Sequence, residues 1–319
     1  MEFGGFFMQG QDTIAAIRQN ISRVVVGKEF AINLVLTALL CRGHVLLEDV
    51  PGIGKTTLVT ALARSLGCTF RRIQFTPDIM PSDITGYTVP DRNGGDLLYR
   101  PGAIMSQVVL ADEINRTSPK TQSSLLEAMQ ENQVTVDGCS YPLPQPFIVL
   151  ATQNPIEYVG TYPLPEAQLD RFLMRIALGY PSLAQEMAIL ERFNGESPLD
   201  RLEPVADTQT VLRLQKQADS VLCTEPVREY IALLAASTRT HPDVTLGISP
   251  RGALALMLAS KAWALLESRD YVIPDDVQRM IHPVFSHRLV LKPEARLKKR
   301  SARDIVQAVL SLVTVPRAI

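Results

Sequence analysis

The sequence predicts an α/β fold, a doubly wound parallel sheet followed by a helical domain, and three observations carry that reading. Short apolar runs alternate with helix-like runs between residues 44 and 178. Two of these runs, 108–111 and 147–151, are continuously apolar, as expected of parallel strands covered on both faces. Beyond Pro181 only helical spacing remains, so residues 1–181 are expected to form the sheet-containing core and 182–319 an all-α domain.

In chain order, Ile14, Ile17 and Ile21 recur at helical spacing, and 31–41 reads as a buried helix closed by Gly43. Residues 44–48 read as the first strand, 55–66 as a helix stopped at Gly67, and 70–75 as the second strand. The strands 108–111 and 147–151 flank a helix over 119–131, and a fifth strand is expected over 173–178. Two segments interrupt this rhythm. Residues 84–104, with Tyr87, Val89, the turn Asn93-Gly94-Gly95, Leu97 and Tyr99, read as an inserted β-hairpin. Residues 133–143 read as a second hairpin turning at Asp137-Gly138. The helical remainder shows in Leu183, Met187 and Leu190, in Val227, Ile231 and Leu234, and in Leu254, Leu258 and Leu265. Breaks are expected at 195–198, His241-Pro242, Pro250 and Pro274, and Lys298-Lys299-Arg300 reads as a solvated helix face.

Composition narrows the function classes. Of 319 residues 46% are hydrophobic, enough for a large core, and 32 Lys and Arg balance 33 Asp and Glu, which gives no bulk electrostatic case for nucleic acid. Cys41, Cys68, Cys139 and Cys223 are scattered without a C-x-x-C pair, which disfavours a zinc site or disulfide framework and fits a reducing compartment. The N-terminal stretch has no Lys or Arg before Arg18, and the longest apolar segment, 31–41, is too short to span a bilayer. A cytoplasmic location without a transmembrane segment is therefore expected.

The chemistry lies at the strand ends. Between the first strand and its helix stands LLEDVPGIGKTTL, where a Gly-Lys-Thr turn opens a helix, the layout of a loop that cradles phosphates with backbone N–H groups. Lys55 would add a positive charge toward the β- and γ-phosphates of a nucleotide, and Thr56 a hydroxyl for Mg²⁺. The strict pattern G-x-x-x-x-G-K-[ST] is not met, because Asp49 occupies its first glycine. The strand 108–111 runs into Asp112-Glu113; in a parallel sheet both carboxylates emerge at the carboxyl end, beside the phosphate loop. Asp112 is expected to hold Mg²⁺ and Glu113 to act as general base toward water. Asn154 follows the next strand, and its amide would contact the γ-phosphate and the attacking water.

Longer runs carry a resemblance. The runs LADEINRTSPKTQSSLLEAMQENQVTV (110–136) and ATQNPIEYVGTYPLPEAQLDRF (151–172), with Phe75-Thr76, Asp83-Ile84, LLEDVPGIGKT and SPRGAL (249–254), resemble the MoxR family of AAA+ ATPases. The likeness extends from Val25-Val26-Gly27 to His287-Arg288-Leu289. It implies a P-loop AAA+ core with inserted hairpins and an all-α lid, and a family that tolerates a non-glycine residue at position 49.

By position, the resemblance makes Lys55 and Thr56 the Walker A residues, Asp112 and Glu113 Walker B, and Asn154 sensor 1. The residues Pro51, Gly52, Ile53, Gly54, Lys55, Thr56 and Thr57 would contact the nucleotide, with Val25, Val26 and Gly27 on its adenine side. Arg171 is similar to the arginine finger supplied to a neighbouring subunit, with Arg175 as its competitor. Arg251 matches sensor 2, an arginine that reaches the phosphates of its own subunit. The two hairpins fall where the family carries its helix-2 insert and pre-sensor-1 hairpin, near a ring's central opening.

The function so implied is that of an ATP-hydrolysing, chaperone-like assembly factor, a homo-oligomeric ring, hexameric by expectation, acting on client protein complexes with a von Willebrand factor A domain partner. Three other readings stand beside it. A slowly hydrolysing nucleotide switch is disfavoured by the presence of Glu113. A nucleic-acid remodeller is disfavoured by neutral charge and the lack of a helix-turn-helix or zinc module. The motor subunit of a metal chelatase shares the hairpins and differs mainly in partners.

Overall fold

The computed structural model describes residues 2–50, 52–91, 97–154, 160–192 and 198–316. The chain opens with helices α1 (Glu2–Ser22) and α2 (Glu29–Leu40), then β1 (Val45–Glu48), α3 (Lys55–Ser65) and β2 (Phe70–Gln74). A short α4 (Pro81–Thr85) leads into the hairpin β3 (Gly86–Pro90) and β4 (Leu97–Pro101). There follow β5 (Val108–Asp112), α5 (Pro119–Glu131), the hairpin β6 (Gln133–Val136) and β7 (Cys139–Pro142), β8 (Ile148–Gln153), α6 (Glu166–Leu169) and β9 (Met174–Ile176). The remainder comprises α7 (Leu183–Arg192), α8 (Thr208–Ser220), α9 (Glu225–Thr240), β10 (Val244–Leu246), α10 (Pro250–Leu266), α11 (Pro274–Phe285), β11 (Val290–Leu291), α12 (Pro293–Leu297) and α13 (Ala302–Leu312).

The strands β2-β5-β8-β1-β9 form one parallel sheet, and each expected strand is present. Its apolar runs divide by alternation, because successive side chains of a strand point to opposite faces. Val45, Leu47, Val108, Leu110, Ile148 and Leu150 join one apolar cluster; Leu46, Val109, Ala111, Val149 and Ala151 join the other. The first cluster continues through α1 and α2 into α8, α9, α10 and α11, so the N-terminal helices and the lid share a core.

Both inserted hairpins form, and they touch. Tyr99 of β4 stacks on Tyr141 of β7 at 3.9 Å, and Thr88 of β3 donates its hydroxyl to Asp137. Asp137 (φ +48°) and Gly138 (φ +80°) are both left-handed, the two-residue turn that matches strand twist. The turn at Asn93-Gly94-Gly95 lies outside the described residues.

The expected helices form, with details that spacing alone does not give. The stripe Leu183, Met187 and Leu190 forms on α7 but lies at the surface, and Leu254 of α10 is exposed while Leu256, Ala259 and Trp263 are buried. Lys298, Lys299 and Arg300 form a turn after α12, with Lys299 at φ +57° and Arg300 paired to Asp243, rather than a helix face. The otherwise helical lid also holds an antiparallel ribbon, β10 on β11, too short to register as periodicity. Among the described residues, no helix is long and apolar enough to cross a membrane.

Candidate active site

The phosphate loop joins the carboxyl end of β1 to α3. Gly52 (φ +83°) and Gly54 (φ +90°) both take the left-handed backbone that glycine adopts without strain, which turns the chain tightly into α3. Lys55 opens that helix, and its ammonium donates to the Asp49 carbonyl at 2.9 Å. Burial lowers the Lys55 pKa, against the opposing pull of Asp112, Asp49 and Glu113. Pro51 lies outside the described residues.

Asp49, standing where the strict pattern has glycine, makes contacts of its own. Its carboxylate accepts the backbone N–H groups of Leu178 and Gly179, the latter at 3.1 Å. The carbonyls of the same segment accept from Lys28, at 2.8 Å for Leu178, 3.0 Å for Gly179 and 3.2 Å for Tyr180. The connector from β9 to α7 is thus gripped on its donors by the phosphate loop and on its acceptors by the start of α2.

Asp112 and Glu113 stand at the carboxyl end of β5 in a closed polar circuit. Arg72 reaches Asp112 Oδ2 through Nε at 3.1 Å and Nη2 at 2.6 Å, while the Thr152 hydroxyl donates to Asp112 Oδ1 at 2.6 Å. Arg72 also donates to Gln74 at 2.8 Å, and Gln74 donates to Glu113 at 2.8 Å. Arg116 pairs with Glu113 at 3.2 Å, and the Glu113 N–H closes the circuit on Thr152 at 2.8 Å. Glu113 holds a left-handed backbone (φ +59°), an unfavoured conformation for a side chain of its size, of the kind that clusters at functional sites.

Two adjoining cavities meet at the loop. One, of about 390 Å³, is lined by Gly52, Gly54, Lys55, Thr56, Thr57, Arg72, Gln74, Asp112, Glu113, Thr152 and the buried Asn154. The other, of about 440 Å³, is more apolar; Val24, Val25, Val26, Ile53, Thr57, Tyr180, Ile189 and Leu199 are among its walls. The first has the shape and charge for a polyphosphate, the second for a base and ribose. Gly27 lines neither; it borders a separate cavity at the β9 edge, and its carbonyl accepts from Gln185 at 3.2 Å.

The remaining arginines lie elsewhere. Arg171 precedes β9, so in a parallel sheet it sits at the amino end, opposite the phosphate loop. Arg175, on β9 itself, is paired with Glu48 at 2.9 Å. Arg251, which the resemblance places at the phosphates of its own subunit, is not among the residues lining either cavity. Ser249 and Pro250 start α10 on the Asp170 side of the molecule, where the Ser249 hydroxyl lies 3.5 Å from Asp170. Arg171 and Arg251 have no side-chain hydrogen bond or ion pair among the described residues.

Sequence reading missed Arg72, Gln74, Thr152 and Arg116. One signal was available: Arg72 and Gln74 are polar at alternate positions of β2, hence on one face of it, and Gln74 pairs in register with Asp112.

Residues 44–174 match the model of the ATPase family associated with various cellular activities (AAA), and residues 236–309 match the AAA lid domain. The Bacillus subtilis protein YeaC is 53% identical over 93% of this chain and 93% of its own length. Chaperone MoxR1 of Mycobacterium tuberculosis is 41% identical over 93% of this chain and 81% of its own. The crystal structure of a Cytophaga hutchinsonii protein assigned as an ATPase superposes with a TM-score of 0.92 at 36% identity, covering 99% of this chain and 98% of that one.

Proposed function

The chain belongs to the MoxR family of AAA+ ATPases, and from that premise we propose that it works as a ring in which each active site is shared between two copies, spending ATP on the assembly or remodelling of client protein complexes. One observation carries the reading. The Walker-type residues converge on two adjoining cavities, while Arg171 and Arg251 stand apart from them with no side-chain partner among the described residues. Two unpaired arginines on the far side of the sheet are suited to a neighbour's phosphates, where a planar guanidinium neutralises charge that develops during phosphoryl transfer. Arg175, already held by Glu48, is less suited to that task.

Within one copy, Lys55 and the N–H groups around Gly52 and Gly54 bind the phosphates, and Asn154 orients the attacking water. Glu113 takes that water's proton. Gln74 and Arg116 both contact its Oε2, and those contacts compete with that role. Thr56 and Asp112 offer a hydroxyl and a carboxylate in one cavity, an oxygen-only pair that fits Mg²⁺, a cation that keeps several waters and needs few protein ligands. When bound, Mg²⁺ neutralises phosphate charge. Arg72 must then yield Asp112.

The same reading divides the chain at Ser182, a nucleotide-binding core over 1–181 and a lid over 182–319, with the connector held by Asp49 and Lys28 as the joint. A hexameric ring, a cytoplasmic setting and a von Willebrand factor A domain partner complete the proposal. The name of the mycobacterial relative, a chaperone, supports action on proteins. The paired hairpins, with Tyr87, Leu97 and Leu98 exposed, offer apolar surface for a client.

The test is capture with Glu113→Gln, which should bind ATP, assemble, and retain its partners. Recovery of a protein complex in an ATP-dependent manner is the expected result. Recovery of nucleic acid that survives nuclease-free washing, with no protein above background, would replace the reading by that of a nucleic-acid remodeller.

A further inference from the structure

Arg288 lies just beyond α11 in the lid, with its side chain 4% exposed. It touches neither nucleotide cavity. Its guanidinium instead grips the loop that carries Arg171. Nε donates to Asp170 Oδ1 at 2.6 Å, Nη1 to the Leu173 carbonyl at 3.0 Å, and Nη2 to the carbonyls of Phe172 at 2.7 Å and Asp170 at 3.3 Å. The Val284 carbonyl at the end of α11 accepts from Nη1 as well, anchoring the fork to its own helix. His287 adds a contact of 3.2 Å to the Phe172 carbonyl.

The contacts fall on either side of Arg171 and leave its side chain untouched. Asp170 Oδ2, free of Arg288, faces the hydroxyl of Ser249 at 3.5 Å, and that hydroxyl caps α10 through the Gly252 N–H at 3.1 Å. A β-carbon on Gly252 would stand 3.1 Å from Arg288 Cδ and 2.8 Å from Ile248 Cγ2, so the helix start that bears Arg251 is packed against the same arginine. One buried guanidinium therefore stands behind both unpaired arginines.

Its chemistry is suited to orientation. A buried charge pair is seldom more stabilising than apolar packing of the same volume, whereas a planar fork with five donors fixes the direction of a loop. A lysine carries the charge but cannot span a carboxylate and three carbonyls at once.

We propose that Arg288 is a positioning residue for the trans-acting arginines: it fastens the Arg171 loop and the start of α10 to the lid, so that Arg171 is presented to the neighbouring copy in one orientation. This rests on the reading that Arg171 acts in trans, and the test separates the two.

The experiment measures steady-state ATP turnover of full-length Arg288→Lys alone and mixed with Lys55→Ala, beside the same pair of measurements for Arg171→Ala. Lys55→Ala copies have a dead site of their own but an intact finger face to lend. Turnover of Arg288→Lys alone should fall at least tenfold with the affinity for a fluorescent ATP analogue unchanged. Excess Lys55→Ala should restore turnover per Arg288→Lys copy, as it should for Arg171→Ala. Restoration of Arg171→Ala but not of Arg288→Lys would overturn the positioning role, since the defect would then lie in the variant's own site or fold. Unimpaired turnover in Arg288→Lys would overturn it too. Failure to restore Arg171→Ala would remove the trans reading itself and the proposal with it. If Arg288→Lys does not fold, Asp170→Asn takes its place in the same mixture, with the same outcomes expected.

Discussion

The two ends of the parallel sheet handle charge in opposite ways. At the carboxyl end Lys55, Asp49, Asp112 and Glu113 each have a protein partner: a carbonyl, two N–H groups, Arg72 with Thr152, and Gln74 with Arg116. At the amino end Arg171 and Arg251 have none among the described residues, while Arg288 and His287 hold the backbone behind them. The first arrangement is a site whose ligand replaces internal pairs, and so must compete with them. The second is a surface kept in one orientation with its charge still available. A partner supplied from outside the chain needs the second kind of preparation, because nothing among the described residues satisfies those arginines.

The sharpest way to break this comparison is to remove the charge at the amino end. Arg171→Ala should reduce ATP turnover by about 10³-fold or more, the scale of an arginine finger, without changing nucleotide affinity. Turnover by the unmodified chain should rise more than linearly with protein concentration. An Arg171→Ala protein with unaltered turnover would mean that the amino end serves another purpose.

The amino end should also fail first in acid. The His44 ring is buried, accepts the Val149 N–H on Nδ1 at 3.0 Å and meets the Met129 carbonyl through Nε2 at 3.0 Å, while its own carbonyl takes the Leu173 N–H at 2.8 Å. The Val149 bond requires an unprotonated Nδ1, and burial lowers the His44 pKa from 6.5 to about 4. His287 is lowered too, by burial and then by Arg288. A folded-state pKa below the unfolded one means that the unfolded chain binds more protons as pH falls through 6.5, so stability is lost in the acid direction. For His44 alone the loss reaches about 3 kcal/mol by pH 4. In denaturant titrations, His44→Gln should flatten the slope of stability against pH between 6.5 and 4, whatever its stability at pH 7.

Much of this fold could be read from the chain because its signals are local. The strands announce themselves as apolar runs, and Gly54-Lys55-Thr56 and Asp112-Glu113 each lie within a few consecutive residues. What escaped is what depends on register and docking. Arg72 meets Asp112 across 40 residues of sequence, and Arg288 meets Asp170 across 118. No periodicity encodes either pairing. The same limit explains Arg251: SPRG reads correctly as a helix start, but where that start points is set by Arg288 and Asp170. It also explains α7, whose spacing gives a helix but not which face is covered.

Asp49 tests how far the carboxyl end depends on its internal partners. Asp49→Gly restores the strict phosphate-loop pattern and removes the acceptor for Leu178 and Gly179. We expect ATP affinity within a fewfold of the parent and a loss of about 2 kcal/mol in unfolding free energy, the scale of hydrogen bonds to a charged group. Hydrogen exchange should accelerate at the amides of Leu178 and Gly179. Unchanged exchange there would show that Lys28 alone secures the connector.

The smallest effect should come from Arg72, and it bears most directly on the idea of competition. Arg72 is half-exposed (49%) and Asp112 nearly buried (13%), so their ion pair is worth only about 0.2–1 kcal/mol against water. Arg72→Met removes it and leaves Asp112 with the Thr152 hydroxyl on its other oxygen. If the internal pair opposes the cation, Arg72→Met should lower the Mg²⁺ concentration for half-maximal binding of a fluorescent ATP analogue, by up to about fivefold. If Arg72 instead turns to the phosphates once it leaves Asp112, the same variant should weaken analogue binding even without Mg²⁺. The first outcome makes the pairing at the carboxyl end purely competitive; the second makes Arg72 a ligand in waiting, and would bring that end closer in design to the amino end.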